Sequence, residues 1–101
     1  MIRSKQDAMK ALSDVNPENS FWVCDGSILK NIDELLNFVK STQDNVFSYH
    51  ANEERNDFSN WVKDMMGDVK LAGDLSKTKD KKEAVKILNE RVKWLRKKAK
   101  V

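Results

Sequence analysis

The residues best suited to chemistry lie together in residues 48–64, which read SYHANEERNDFSNWVKD. A histidine is followed three, four and seven positions later by carboxylates: His50, Glu53, Glu54 and Asp57. On a helix these side chains would lie near one face, and an imidazole with carboxylates suits a divalent transition metal. However, His50 is the only histidine, and every strong ligand comes from one short segment. Capping and ion pairing therefore explain the pattern better than a metal site built on His50, Glu53 and Asp57, and we expect no cofactor.

Nucleophilic catalysis is a second possible chemistry. Cys24 and His50 could form a thiolate–imidazole pair, with Asn52 or Asn56 to orient the ring. Cys24 lies in the apolar run FWVC, however, where a free cysteine usually behaves as a small hydrophobic residue. The chain also has no glycine-rich phosphate loop, no G-x-S-x-G motif and no zinc-protease motif. The sequence therefore predicts a protein that is not an enzyme.

Electrostatic binding is a third possible function, because charge is distributed unevenly along the chain. From residue 77 onward there are eleven basic and three acidic residues, a net charge of +8. Residues 1–76 hold eight basic and thirteen acidic residues, a net charge of −5. Such a chain can pair its halves internally or offer a basic face to an acidic partner. On a C-terminal helix, six basic residues would share the side opposite the apolar one, within about 100°: Lys82, Lys86, Lys93, Arg96, Lys97 and Lys100.

The composition indicates one helical domain over residues 1–101. A chain of 101 residues can bury one modest core, and one proline with three glycines leaves few turn-formers. No apolar run approaches the roughly 18 residues that cross a bilayer. The N-terminal MIRSKQDAMKALSD has no apolar block of the kind found in signal peptides. We therefore expect a cytoplasmic protein with no membrane association.

The apolar spacing predicts an all-α fold. We expect a compact orthogonal bundle of five or six short helices, with a long amphipathic helix over about residues 80–99. Ser4 and Asp7 have capping-box spacing for the first helix. The run SFWVC, near residues 20–24, is expected to be a buried extended segment without a partner strand. The next helix places Ile28 on its apolar stripe and begins after either Ser27 or Asn31.

A further stripe contains Phe58, Trp61, Val62, Met65 and Met66, at i, i+3, i+4, i+7 and i+8 of a core-facing helix. Asn56 or Asp57 would cap its start, Gly67 would close it, and Asp68 would cap the next helix. The predicted core comprises Leu12, Phe21, Ile32, Leu35, Leu36, Phe47, Phe58, Trp61, Val62, Leu75, Leu88, Val92 and Leu95.

The segment ANEERND would connect two helices, with its asparagines and acids bonding exposed backbone groups. His50 would donate to a backbone carbonyl or to a carboxylate such as Glu53. Both roles are structural, although the charged side chains of this turn should still face solvent.

With its elements laid out, the chain resembles a small prokaryotic, mostly archaeal, domain family of unknown function. The family pattern reads aromatic-x-aromatic-x-x-Gly, Leu-Lys-x-Leu-x-Glu-Leu, and Phe-x-Tyr-His-Val-Asn-Glu-Glu-Lys-Asn-Asp-Phe-x-x-Trp. The counterparts here are Phe21 to Gly26, Leu29 to Leu35, and Phe47 to Trp61. Ala51 replaces the valine and Arg55 the lysine. The resemblance covers about residues 20–75 and implies no activity.

Two functional hypotheses follow, and the sequence favours the first, with the second as the alternative. The first is a protein-interaction or regulatory module that uses a helical groove or the turn containing Glu53, Glu54 and Arg55. The second is nucleic-acid binding through the basic side of the C-terminal helix; Trp94, at the edge of the apolar arc, is expected to pack rather than to stack on a base.

The oligomeric state is expected to be a monomer or a weak homodimer. Met65, Met66 and Trp94 could form an adaptable apolar contact surface. Completing the core is the favoured interpretation of all three.

Overall fold

In a computed structural model, which describes residues 1–100, the chain forms six α-helices and one two-stranded antiparallel sheet. The predicted all-α class and the long C-terminal helix are confirmed. A 3-10 turn, Pro17–Asn19, precedes the sheet, and the fourth helix continues into a π-helical turn, Val62–Met66. The elements are α1 (Lys5–Leu12), β1 (Phe21–Trp22), β2 (Ile28–Leu29), α2 (Ile32–Ser41), α3 (Asp44–His50), α4 (Asp57–Trp61), α5 (Val69–Ser76) and α6 (Lys81–Ala99).

Side-chain caps determine where α1 and α2 begin. The Ser4 hydroxyl accepts a bond from the Asp7 N–H at 3.1 Å, and the Asp7 carboxylate accepts from the Arg3 and Ser4 N–H groups at 3.0 and 3.2 Å. These two backbone donors, Arg3 first, lower the pKa of the Asp7 carboxyl because they stabilise its charged form. Of the two predicted starts for α2, Asn31 is correct, since its side chain accepts from the Glu34 N–H at 2.8 Å.

The segment near residues 20–24 differs from its prediction because it does have a partner strand. Phe21 pairs with Leu29 and Trp22 with Ile28 across an antiparallel ladder. Phe21 and Leu29 are buried, whereas Trp22 is 69% and Ile28 46% exposed. The segment is therefore an alternating strand with one outward face, and Ile28 belongs to β2 rather than to the stripe of α2.

A tight turn makes this hairpin possible. Gly26 has a φ of +97°, which glycine adopts without steric cost. The Asp25 carboxylate accepts a bond from the Ser27 N–H at 2.8 Å, and that bond lowers the pKa of the Asp25 carboxyl. The Asp-Gly pair thus reverses the chain between the two strands.

Helix α6 packs mainly against α1 and α2 through its buried residues Ala84, Leu88, Val92, Leu95 and Ala99. Every predicted core residue is buried except Leu12, which is only partly covered at the edge of the core. Within residues 1–100, no helix is both long enough and apolar enough to pass through a membrane.

The junction between α4 and α5 explains why two neighbouring methionines differ. A π-helical turn rotates the chain by fewer degrees per residue than an α-helix does. Met66 therefore moves to the centre of the buried stripe, at 4% exposure, and Met65 moves to its edge, at 38%. Gly67 closes the turn at φ +69°, and the Asp68 carboxylate caps α5 by accepting from the Leu71 N–H; both were predicted.

Candidate functional site

The predicted basic residues of α6 lie on the side of the helix that faces away from the core. All six are exposed, and we call them the basic face: Lys82, Lys86, Lys93, Arg96, Lys97 and Lys100. At 1.5 Å per residue, this surface runs for about 27 Å along the helix. It is the largest cluster of like charge that the sequence predicted, and the structure keeps it accessible.

One member of the basic face is already paired. The Arg96 guanidinium donates to the Asp33 carboxylate of α2 at 2.8 Å. The five lysines form no ion pair within residues 1–100. Helical geometry places the four of them within α6 inside about 60° of one another, and Lys100 follows as the C-cap, with a left-handed backbone at φ 61°. Glu83 and Glu90 are also exposed, but they lie beside that arc rather than within it.

Trp94 differs from its prediction. It was expected to pack, yet it is 39% exposed. The Arg91 guanidinium carbon lies 4.1 Å from the centre of its ring, and the Lys98 Nζ lies 5.8 Å from it. Lys93 and Lys97, together with Arg96, line a shallow surface depression beside the indole. An accessible aromatic ring therefore adjoins the basic face.

A buried ion pair with Asp68 fixes Arg91, the residue whose guanidinium lies against the Trp94 ring. Arg91 donates through Nε to Asp68 Oδ2 at 2.8 Å and through a terminal nitrogen to Asp68 Oδ1 at 2.9 Å. The Asp68 side chain is 1% exposed and the Arg91 side chain 13%. Sequence reasoning assigned Asp68 only a capping role and gave Arg91 none. The available signal was that Arg91 is a charged residue within the apolar arc of α6, where a buried partner is needed.

The three residues predicted as a partner surface are exposed, but two of them are used internally. The Arg55 guanidinium donates to the Tyr49 carbonyl at 3.0 Å and lies 4.9 Å over the Tyr49 ring. Glu53 pairs with Lys79. Of the three, only Glu54 has no ion pair within residues 1–100. The turn is therefore built mainly to connect α3 to α4.

His50 is buried, at 4% exposure, and both of its ring nitrogens are bonded. Its Nε2 lies 3.0 Å from the backbone nitrogen of Cys24, and its Nδ1 lies 2.9 Å from Asp57 Oδ2. Because a backbone N–H can only donate, Nε2 carries the lone pair and Nδ1 carries the proton. His50 does donate to a carboxylate, but to Asp57 rather than to Glu53. It thus joins the hairpin turn to the first residue of α4.

The candidate metal ligands bond within the chain and do not form one cluster. Glu53 is directed to Lys79, while His50 and Asp57 bond each other. Among residues 1–100, no three His, Cys, Asp or Glu side chains are grouped so that they could hold a metal ion.

The candidate nucleophile also differs from its prediction, because Cys24 is exposed rather than packed with apolar neighbours. Its backbone N–H occupies the imidazole nitrogen that would have to accept a thiol proton. Neither candidate orienting residue bonds the ring: Asn52 accepts from the Glu54 N–H, and Asn56 accepts from the Ser59 N–H as the cap of α4. These two asparagine side chains therefore bond to backbone groups and not to the imidazole.

The tautomer of His50 can be measured directly. A long-range ¹H–¹⁵N spectrum at mildly alkaline pH should show a protonated Nδ1 and a lone-pair Nε2. Asp57→Asn is the matched control, because its side-chain oxygen still accepts from Nδ1 and the tautomer should persist. A spectrum with the proton on Nε2 would contradict the bond from Cys24.

The chain has no match among protein-family models, curated proteins or solved structures. The resemblance described above therefore rests on the residues that carry it.

Proposed function

We propose that this domain binds nucleic acid in the cytoplasm, with the backbone phosphates as ligands of the basic face. The observation that carries the proposal is the row of five exposed lysines without an ion pair among residues 1–100. Phosphates occur at regular intervals along a nucleic-acid strand, and these lysines occur at intervals along one side of a helix. Several lysine–phosphate contacts can therefore form at once.

The ion pairs of the chain support binding of an external acidic partner. The alternative is that the acidic residues of the same chain neutralise the basic face. Four basic residues of the C-terminal segment pair with acids of the rest of the chain: Lys79 with Glu53, Lys81 with Asp44, Arg91 with Asp68 and Arg96 with Asp33. Attraction within the chain therefore uses basic residues other than the five lysines of the exposed side. Those five lysines keep their charge for a partner.

Binding of this kind should depend steeply on salt. Each neutralised phosphate lowers log K by about 0.9 per tenfold rise in salt for duplex DNA and about 0.7 for a single strand. With three to five contacts, affinity should fall on the order of 20- to 500-fold between about 50 and 200 mM salt.

The test compares two variants that change the net charge of +3 equally, by six units. Lys86→Glu, Lys93→Glu and Lys97→Glu together should abolish binding in an electrophoretic titration while leaving the fold intact, since none of the three is buried. Reversal of Lys5, Lys40 and Lys63, which are also exposed, is the matched control and should weaken binding far less. An equal loss of affinity in both variants would show that binding depends on the net charge of the protein, and it would reject the basic face as the binding site.

A protein-interaction module is the second candidate, and one observation favours it. Trp22 is 69% exposed on the outer side of the hairpin, beside Ile28 at 46%, and tryptophan is enriched at binding hot spots. This candidate predicts a flat wild-type titration even at low salt. It also predicts a partner whose affinity depends on Trp22 or Glu54 and not on the lysines.

A further inference from the structure

We infer that the nucleic acid is single-stranded and that Trp94 stacks on one of its bases. The inference rests on the proposed function and specifies its substrate class. It starts from the 39% exposure of an indole that adjoins the basic face.

The indole is held in place by a rigid support. Asp68 is almost fully buried and fixes Arg91 through two bonds of 2.8 and 2.9 Å. The planar guanidinium then lies 4.1 Å from the centre of the Trp94 ring, a distance typical of cation–π stacking. If Arg91 moved away from Asp68, the buried Asp68 carboxylate would be left without a partner, which is costly. Arg91 therefore stays in place and holds the Trp94 ring, so the ring loses little conformational freedom when a base stacks on it.

The neighbouring lysines are placed to hold the same strand. Lys97 follows Trp94 by three positions and is therefore its neighbour on the helix surface, and Lys93 lines the same depression as the ring. Together with Arg96 they line the depression beside the ring. A nucleotide whose base lies on Trp94 would therefore carry its phosphates to Lys93 and Lys97. This combination of an aromatic platform and a basic track is typical of single-strand binding.

A duplex does not fit this arrangement as well. Its bases are stacked on each other and present only their edges in the grooves, whereas an unpaired base offers its whole face. The lysines alone would bind either form through phosphate, so the contribution of Trp94 is what distinguishes the two. A ring that served only to cover the guanidinium of Arg91 would bind paired and unpaired bases alike.

The experiment measures the affinity of the whole chain for three probes by fluorescence anisotropy at low salt: an oligothymidylate of about 12 nucleotides, an abasic oligomer with the same number of phosphates, and a duplex. Wild-type protein should prefer the oligothymidylate to the abasic oligomer. Trp94→Ala should remove that preference by lowering the oligothymidylate affinity about 5- to 150-fold, because stacking contributes about 1–3 kcal/mol per base. Its affinity for the abasic oligomer should not change.

Three controls keep the result specific. Trp94→Phe should recover part of the preference, and Trp22→Ala, which removes an exposed tryptophan outside α6, should leave it unchanged. In a Trp22→Phe background, oligothymidylate should quench tryptophan emission and the abasic oligomer should not. That measurement also tests the inference if Trp94→Ala fails to fold. An oligouridylate probe run in parallel shows whether RNA is held by the same stacking contact.

The outcomes separate the inference from the proposed function. Equal affinity for all three probes, unchanged in Trp94→Ala but abolished by the lysine reversal, would overturn stacking and leave phosphate binding intact. An equal loss of affinity for the abasic oligomer in Trp94→Ala would show that the ring only positions the lysines, which also overturns stacking. No binding of any probe by the wild type would overturn both.

Discussion

Replacing Asp68 with alanine should lower the free energy of unfolding by about 3–5 kcal/mol, since it leaves the charge of Arg91 largely buried without a partner. The carboxylate is 1% exposed and accepts both bonds from the guanidinium. It also accepts from the Leu71 N–H at the start of α5, so the variant loses a helix cap as well. Urea denaturation followed by circular dichroism measures the change.

A double variant provides the control. Asp68→Ala combined with Arg91→Met removes the stranded charge while keeping an apolar side chain against Trp94. Because a buried pair replaced by apolar groups is often neutral in stability, the double variant should recover most of the loss, apart from about 1 kcal/mol for the missing cap. A single variant that loses under about 1 kcal/mol would show that Arg91 finds water or another partner, contrary to the burial of this pair.

Local capping signals made much of the helical organisation predictable. A capping bond joins residues two or three positions apart, so both partners are visible in one short stretch of sequence. Ser4 with Asp7, Asn31 with Glu34, and Asp68 with Leu71 are of this kind. The choice between Ser27 and Asn31 stayed open because Ile28 fits a helical stripe as well as it fits a strand.

The hairpin was missed although its Asp25–Gly26 turn is visible in the sequence, because nothing local shows which residues pair across that turn. Two strands of two residues each are too short to show an alternating pattern. What stabilises them is partly the bond from the Cys24 N–H to His50, 26 positions away. The outward direction of Trp22 follows from the pairing of Phe21 with Leu29, which buries the opposite face.

The candidate site divides in the same way. The row of lysines could be predicted, because a single helix with a known apolar side determines where its basic residues point. The pair between Arg96 and Asp33, 63 positions apart, could not. Nor could the exposure of Trp94, since a residue at the border of the apolar arc is covered only if a neighbouring element happens to pack there.

The second large effect is expected from Trp61, which is 7% exposed and contacts Phe21 edge to face at 5.6 Å between ring centres. Trp61→Ala should cost about 3–5 kcal/mol of unfolding free energy, because it leaves a large cavity in the core. Trp61→Phe fills most of that space but loses the bond from the indole nitrogen to the Asn19 carbonyl, 2.8 Å away. It should therefore cost less, about 1–3 kcal/mol for an acceptor left without its donor.

Trp22→Ala is the matched control, and its loss should stay within about 0.5 kcal/mol because the side chain is mostly exposed. Equal losses for Trp61→Ala and Trp22→Ala in the same denaturation experiment would contradict the placement of the Trp61 ring in the core.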